Sequence, residues 1–386
     1  MTAIIRLTLA VVLFVAALLT VVPAPSYFFW EASIAVNELG HYLAIIGLLL
    51  LLPGWKGAVG RASSLFAVLS IVLLLSPVAR ASSVARALPS RLNSAFGAVQ
   101  PQSLPGAAPR DKPISFETLF RKPPSPEVRM TTMTYVMRDE KPLQLDVYRR
   151  DRGMSVAPLV IAIHGGSWRS GYRADLPALN GYLAARGYVV ATPTYRFAPA
   201  FPHPARSQDI EAAISFLKAN AKQLGIDTTR IVLLGRSAGA QLALLAGYTR
   251  NDASIKGIVS LYGPTDQKWG WDNPSDPRVY NSAQTLRAFL NGDPTSAPDA
   301  YRTSSPLNFV GQQTPPTLMI HGTMDPLVSV RQSARLDSAL SAAGRPHLFI
   351  ELPWATHGCD YVFNGPCGQI STYAIERFVA SVTKKP

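Results

Sequence analysis

The stretch Arg230–Tyr248 reads RIVLLGRSAGAQLALLAGY, and its three parts decide the fold. Ile231–Gly235 is a short continuous apolar run, as expected of a strand covered on both faces. Ala238–Tyr248 carries apolar residues at helical spacing. Between them, Gly235-Arg236-Ser237-Ala238-Gly239 must turn the chain sharply, with Ser237 strained and its side chain projecting. The small residues at Gly235 and Gly239 let the backbone pack closely enough for that turn. The helix start then offers free N–H groups and partial positive charge to an oxyanion. In this strand–turn–helix setting G-x-S-x-G points to a nucleophilic serine. The bland alternative is a glycine-rich structural turn.

Working outward, apolar runs alternate with helical stretches. Strands are predicted at Thr132–Met137, Leu143–Tyr148, Leu159–His164, Val189–Tyr195, Ile231–Gly235, Ile258–Tyr262, Thr317–His321 and His347–Leu352. Helices are predicted at Leu176–Arg186, Ala205–Leu224, Ala238–Tyr248, Ser329–Ala343 and Gln369–Val382. The alternation implies an α/β fold, a mostly parallel sheet with helices on both faces. In such sheets the site lies at the carboxyl ends of the strands. There a second motif stands, His164-Gly165-Gly166-Ser167-Trp168 after PLVIAI. Its paired glycines allow a backbone that turns amides into the cleft, where a tetrahedral intermediate needs donors. His164 reads as a brace for that loop rather than a proton carrier.

Composition narrows the function classes. The 386 residues are 48% apolar and 16% charged, which excludes a coiled coil, a collagen and a wholly disordered chain. Two Cys exclude a disulfide scaffold and a Cys-rich zinc module. The net charge of +13 invites a nucleic-acid partner, but the basic residues are scattered and form no stripe with aromatics. Residues 1–110 hold 7 Lys+Arg against 2 Asp+Glu around an apolar head, a pattern suited to an acidic lipid surface. No phosphate loop, dinucleotide fingerprint or metal-ligand cluster appears, so neither cofactor nor metal is implied.

Ile4–Val22, Ile34–Leu52 and Ala62–Ala79 are apolar and long enough to span a bilayer. They predict a membrane anchor of three helices over residues 1–80. The first alone would also read as a signal peptide, with Arg6 as a thin basic region. Glu38 and His41 share one face of the second, either as a functional intramembrane pair or as groups that hydrogen-bond between packed helices or lie near an interface. Arg6, Lys56 and Arg61 favour an amino terminus and second loop inside, hence a domain outside the inner membrane; Arg80, Arg86 and Arg91 weigh against it. Residues 81–127, rich in Ser, Ala and Pro, read as a linker. Residues 128–386 then form one domain with a large core. Pro264–Pro306 interrupts the alternation and is expected to cap the site.

HGGSW at 164–168, YVVATPTYRFAP at 188–199 and GRSAGAQLAL at 235–244 resemble the alpha/beta-hydrolase superfamily. They are most similar to its bacterial feruloyl/acetyl esterase-like branch, near hormone-sensitive-lipase-type esterases. That branch is also similar to kynurenine formamidases and membrane-bound isoprenylcysteine methylesterases. The resemblance covers about residues 130–383 and says nothing of the apolar head. Many relatives carry a third glycine where this chain has Ser167, whose amide still donates.

Family order places an acid and then a histidine after the serine. The resemblance therefore implies Asp325, in HGTMDPLV, as the acid and His357, in ATHG, as the base. It also implies an oxyanion hole from the amides of Gly166, Ser167 and Ala238, with His164, Gly165, Gly235 and Gly239 supporting the motifs. Chemically, a serine is a weak nucleophile until a base takes its proton. An imidazole titrating near neutrality can do so, and a buried carboxylate fixes its tautomer. Asp266, in LYGPTD, is the competing acid. Trp168, Trp269, Trp271 and Trp354 either line an acyl pocket or pack in the core. Cys359 and Cys367 flank a short loop after His357; outside the cytoplasm they would pair, and inside they would stay free thiols. The expected activity is hydrolysis of small to medium carboxylic esters. The alternatives are an arylformamidase-type amidase and a hydrolase-like membrane scaffold without catalysis.

Overall fold

Alternating apolar runs assemble into one eight-stranded sheet in the computed structural model, which describes residues 3–52, 55–99, 101, 108–123, 127–150 and 156–385. The strands are β1 (Val128–Arg138), β2 (Lys141–Arg150), β3 (Ala157–Ile163), β4 (Val189–Pro193), β5 (Ile226–Arg236), β6 (Ile255–Leu261), β7 (Thr317–Gly322) and β8 (His347–Leu352). Their order is β1-β2-β4-β3-β5-β6-β7-β8. The β1–β2 and β2–β4 pairs are antiparallel, and every pair from β4 to β8 is parallel.

Successive strand residues point to opposite faces, and both faces are covered. Leu159, Ile161, Ile163 and Leu233 share a buried cluster with Ile210, Leu217, Leu242 and Leu336 of three covering helices. Val160, Ala162, Val232 and Leu234 share the opposite cluster with Leu183, Phe378 and Leu88. The helices, counted after an amino-terminal bundle of α1 (Ala3–Leu18), α2 (Tyr27–Leu51) and α3 (Gly57–Phe96), are α4 (Phe116–Leu119), α5 (Pro177–Ala185), α6 (Ala205–Ala219), α7 (Ala221–Leu224), α8 (Ala238–Thr249), α9 (Gln267–Asp272), α10 (Ser282–Leu290), α11 (Pro298–Thr303), α12 (Arg331–Ala342) and α13 (Pro366–Val382). Helices α9 to α11 occupy the interval between β6 and β7. Their Leu286, Phe289 and Tyr301 bury against Trp168 and Ala238, above the carboxyl edge of the sheet.

The amino-terminal helices pack on one another through Ala10, Ala17, Ala44, Ala67 and Leu74. By length and composition α2 and α3 are long and apolar enough to cross a membrane, whereas α1 spans 16 residues. That is shorter than the roughly 20 a spanning helix needs. Their outer surface is apolar, with Ile4, Val12, Val15, Leu49, Leu65 and Val72 exposed.

One expectation is corrected here, and two readings of another pair are separated. The first part of the supposed linker is helical and packed: α3 runs unbroken to Phe96, and Ala81, Leu88 and Leu92 are buried in the core of the sheet domain. The reason lies in a stripe of Ala81, Val84, Ala85, Leu88 and Leu92 at helical spacing, which the Ser/Ala/Pro composition hides. Residues 108–119 are also tied down, with Ser115 N–H donating to Gln369 and Arg110 N–H to Glu376 of α13. The Pro-rich residues 102–107 and 124–126 of that interval lie outside the described residues. Secondly, Glu38 and His41 bond from α2 to other helices, α13 and α4, as the packed-helix reading expects, and not to each other. Glu38 accepts from the Cys367 amide at 2.9 Å and Trp354 Nε1 at 3.3 Å, and His41 Nε2 lies 3.1 Å from Leu119 O. Both face the sheet domain, because the first half of α2 runs along it.

Candidate active site

β5 ends and α8 begins within a single residue, Ser237, which adopts φ 53°, ψ −121°. A non-glycine residue there is strained, and two glycines make the turn feasible. A Cβ on Gly235 would sit 2.1 Å from Gly239 O, and one on Gly239 would sit 2.3 Å from Ile163 O and His164 O. The turn therefore brings β5, α8 and the end of β3 into near contact and lifts Ser237 above the sheet. Beneath it Arg236, the variable residue of the motif, is ion-paired at 2.6 Å with buried Asp360.

Two loops bring partners to the serine. The loop after β8 carries His357, whose Nε2 lies 2.9 Å from Ser237 Oγ and whose Nδ1 lies 2.6 Å from Asp325 Oδ2. The loop after β7 carries Asp325, with a fully buried side chain. Its Oδ1 accepts the amides of Leu327 and Val328, at 2.8 and 2.9 Å. His321 Nε2 faces two acceptors, Asp325 Oδ2 at 3.1 Å and Val328 O at 2.9 Å, so it carries a proton. Burial alone would push the Asp325 carboxyl up, yet His357 and His321 hold it well below the usual carboxylate range. With Asp325 ionised, Nδ1 of His357 carries the ring proton and Nε2 is free to accept from Ser237.

A stability prediction follows from that depressed carboxyl. A group whose folded-state pKa lies below its unfolded value stabilises the fold above the unfolded value, near pH 4, and loses that contribution as pH falls further. The stability difference between the wild type and Asp325→Asn should therefore be largest near neutrality and shrink below about pH 4. Denaturant titrations of both proteins in detergent at pH 7 and pH 3 check this; a difference that grows in acid contradicts it.

The loop after β3 turns by positive φ at Gly166 (110°), Ser167 (55°) and Trp168 (59°). Its Gly166 and Ser167 stand beside Ser237, and Ala238 is the first residue of α8, whose amide lies beyond the reach of intrahelical bonding. His164 braces the loop: its Nδ1 lies 2.7 Å from Gly165 O, and its ring stacks on Tyr195 at 4.3 Å. Burial pushes the His164 imidazole down. A cavity of about 250 Å³ opens on the cap side of Ser237, lined by Trp168, Trp269, Leu286, Leu327 and His357. A second, of about 280 Å³, adjoins it at Ser167, Ser237, Tyr280, Leu327 and His357 and extends along Gly165, Gly166, Tyr262 and Tyr361.

Of the four tryptophans expected at the pocket, Trp168 and Trp269 line the cap-side cavity. Trp354 does not: it is fully buried in the core and bonded to Glu38. Trp271 packs edge-on against Tyr301 instead, 5.9 Å between centroids. Asp266, the competing acid, caps α9 by accepting from Trp269 N and pairs with Arg335 at 2.7 Å. Cys359 and Cys367 are joined in a disulfide.

Three contributors escape sequence reasoning. Tyr280 OH donates to Ser167 Oγ at 2.8 Å, and the Tyr262 ring lies 4.5 Å from that of His357. Trp30 of α2 donates its Nε1–H to His357 O at 3.1 Å. Nothing local marks them, since their partners lie about 100 to 330 residues away. His321 had a signal in its spacing of four from Asp325.

Residues 145–340 match a family profile described as BD-FAE. Among curated proteins, Esterase LipC of Mycobacterium tuberculosis (strain ATCC 25618 / H37Rv) is 32% identical over 268 residues, 64% of this chain. The aligned region is also 64% of LipC, so the chain spans a little under two thirds of that relative's own length. Kynurenine formamidase of Meyerozyma guilliermondii is 30% identical over 213 residues, 52% of this chain and 77% of that enzyme. Among solved structures, a truncated form of carbohydrate esterase from gut microbiota superposes with a TM-score of 0.56 at 25% identity, covering 68% of this chain and all of that one. The fold is that of the alpha/beta hydrolases.

Proposed function

Because the chain belongs to the BD-FAE family, we propose that it is a serine hydrolase of carboxylic esters, held at a membrane by its amino-terminal helices. The observation that carries the reading is the hydrogen-bonded chain Ser237–His357–Asp325 at the junction of two cavities. Ser237 Oγ attacks the ester carbonyl while His357 Nε2 takes its proton. The oxyanion forms against the amides of Gly166, Ser167 and Ala238. His357 returns the proton to the departing alcohol, leaving an acyl-serine. Water then attacks the acyl carbon, gives its proton to His357, and the acid leaves as Ser237 regains it. The esterase naming of LipC supports this choice of bond. The same steps would cleave a formamide, and the formamidase relative makes that the second reading. A panel of p-nitrophenyl esters of graded chain length, run beside N-formylkynurenine, tests it. Turnover of the esters is expected, and turnover of the formamide alone would replace the reading.

The anchoring reading rests on the apolar outer face of the bundle and on its geometry. Residues 19–20, the first half of α2 and the end of α3 lie beside the catalytic domain, through Arg80 to Thr20 O and Pro353 O and Arg91 to Phe349 O. The end of the bundle that holds Lys56 and Arg61 is the far one. Positive residues favour the inner side, so the catalytic domain belongs outside. Alkaline phosphatase fused after Pro386 should then be active, since it needs an oxidising compartment. Dithiol should lower the melting temperature by opening Cys359–Cys367, a loss of about 2–3 kcal/mol. An inactive phosphatase with an active cytoplasmic reporter at the same point would reverse the topology.

A further inference from the structure

The amino-terminal helices are expected only to anchor, yet the first turn of α2 reaches the candidate site. Tyr27 N–H donates to Arg278 O of the cap at 3.3 Å, and the Tyr27 and Trp30 rings meet edge to face at 5.0 Å. Trp30 donates to the main-chain oxygen of His357 at 3.1 Å, with its ring 6.3 Å from the imidazole. Two helical turns on, Glu38 accepts from the Cys367 amide at the far end of the same loop. One stripe of α2 thus holds both ends of the segment 357–367, within which a disulfide joins Cys359 to Cys367. Tyr27 and Trp30 further line the 280 Å³ cavity that shares Ser237 and His357 with the cap-side one.

We propose that α2 is part of the active site: Trp30 is a positioning residue for His357, and Tyr27 with Trp30 walls the chamber that receives one of the two halves of the ester. The inference rests on the esterase reading. A carbonyl carbon at Ser237 carries two substituents, and two chambers meet at that residue. The substrate class is therefore an ester with a sizeable group on both sides of the carbonyl. The cap supplies much of one chamber's wall, and Tyr27 and Trp30 of the amino-terminal helix join Tyr280 of the cap in walling the other. The hydrogen bond from Trp30 acts on the backbone of His357 and leaves its two ring nitrogens to Asp325 and Ser237. Its loss lets the imidazole drift, and a misplacement on the order of 1 Å costs up to about a hundredfold in rate.

The test uses the full-length protein in detergent with p-nitrophenyl butyrate. Trp30→Phe keeps a ring but removes the donor; it should lower kcat about tenfold and leave KM unchanged. Tyr27→Ala, at the half-exposed first residue of the helix, should raise KM several-fold with a smaller effect on kcat. Phe28→Ala, an exposed neighbour that lines neither cavity, should match the wild type. An active wild type with Trp30→Phe at wild-type kcat, or Tyr27→Ala folded with wild-type KM, overturns the inference alone. A folded wild type that neither turns over the ester nor labels with a fluorophosphonate overturns the esterase reading and the inference with it.

Discussion

Ser237→Ala is expected to abolish ester hydrolysis, with kcat down by at least about 10⁴-fold and the melting temperature nearly unchanged. The size follows from the role: without Oγ no acyl-serine forms, and what survives is binding and oxyanion stabilisation of a direct water attack. The neutrality of the fold follows from the geometry. Ser237 Oγ projects toward His357, and the strained φ of 53° belongs to the turn rather than to the hydroxyl. Alanine adopts that conformation no worse than serine, so circular dichroism and melting should match the wild type. A folded variant that keeps more than about a hundredth of wild-type turnover would remove Ser237 from the chemistry.

Asp325→Asn is expected to cost about 10³- to 10⁴-fold in kcat, by analogy with other triads in which the acid becomes an amide. The amide NH₂ would face His357 Nδ1, or the ring would turn over, and either way Nε2 would no longer stand as a free acceptor for Ser237. Asp266→Asn should cost less than about tenfold. Its carboxylate caps α9 and meets Arg335, so it bears on cap stability and has no bond to His357. Kinetics of the two variants side by side decide the assignment. The reverse ranking would move the acid to the end of β6.

Most of the sheet was legible because its strands are continuous Val/Ile/Leu runs bounded by turn residues, and the helices between them keep their period. The elbow was legible for a local reason: two positions that admit no Cβ flank one serine at the joint of a strand and a helix. His357 and Asp325 were reached through order along the chain, and the structure brings both to Ser237. What stayed hidden is tertiary. The stripe of Ala81, Val84, Ala85, Leu88 and Leu92 is diluted by serine, arginine and proline, so composition read it as linker while its burial depends on a partner surface. Glu38 looked like a charge inside a membrane helix, since an α2 long enough to span gives no sign that Glu38 meets Trp354 and Cys367, more than 300 residues away. Trp354 and Trp271 were candidates for a pocket because tryptophan serves cores and pockets alike. Only packing separates the two uses.

The most direct test of the central claim is the site of covalent modification by a fluorophosphonate, read by peptide mass mapping of the full-length protein. Attack by Ser237 Oγ on phosphorus expels fluoride and leaves a phosphonyl-serine, with His357 accepting the proton as it would from an ester substrate. A single adduct on the peptide containing Ser237, formed at a rate that falls sharply in Asp325→Asn, is the predicted result. Modification at any other residue, or none in a protein that is folded and hydrolyses esters, would contradict it.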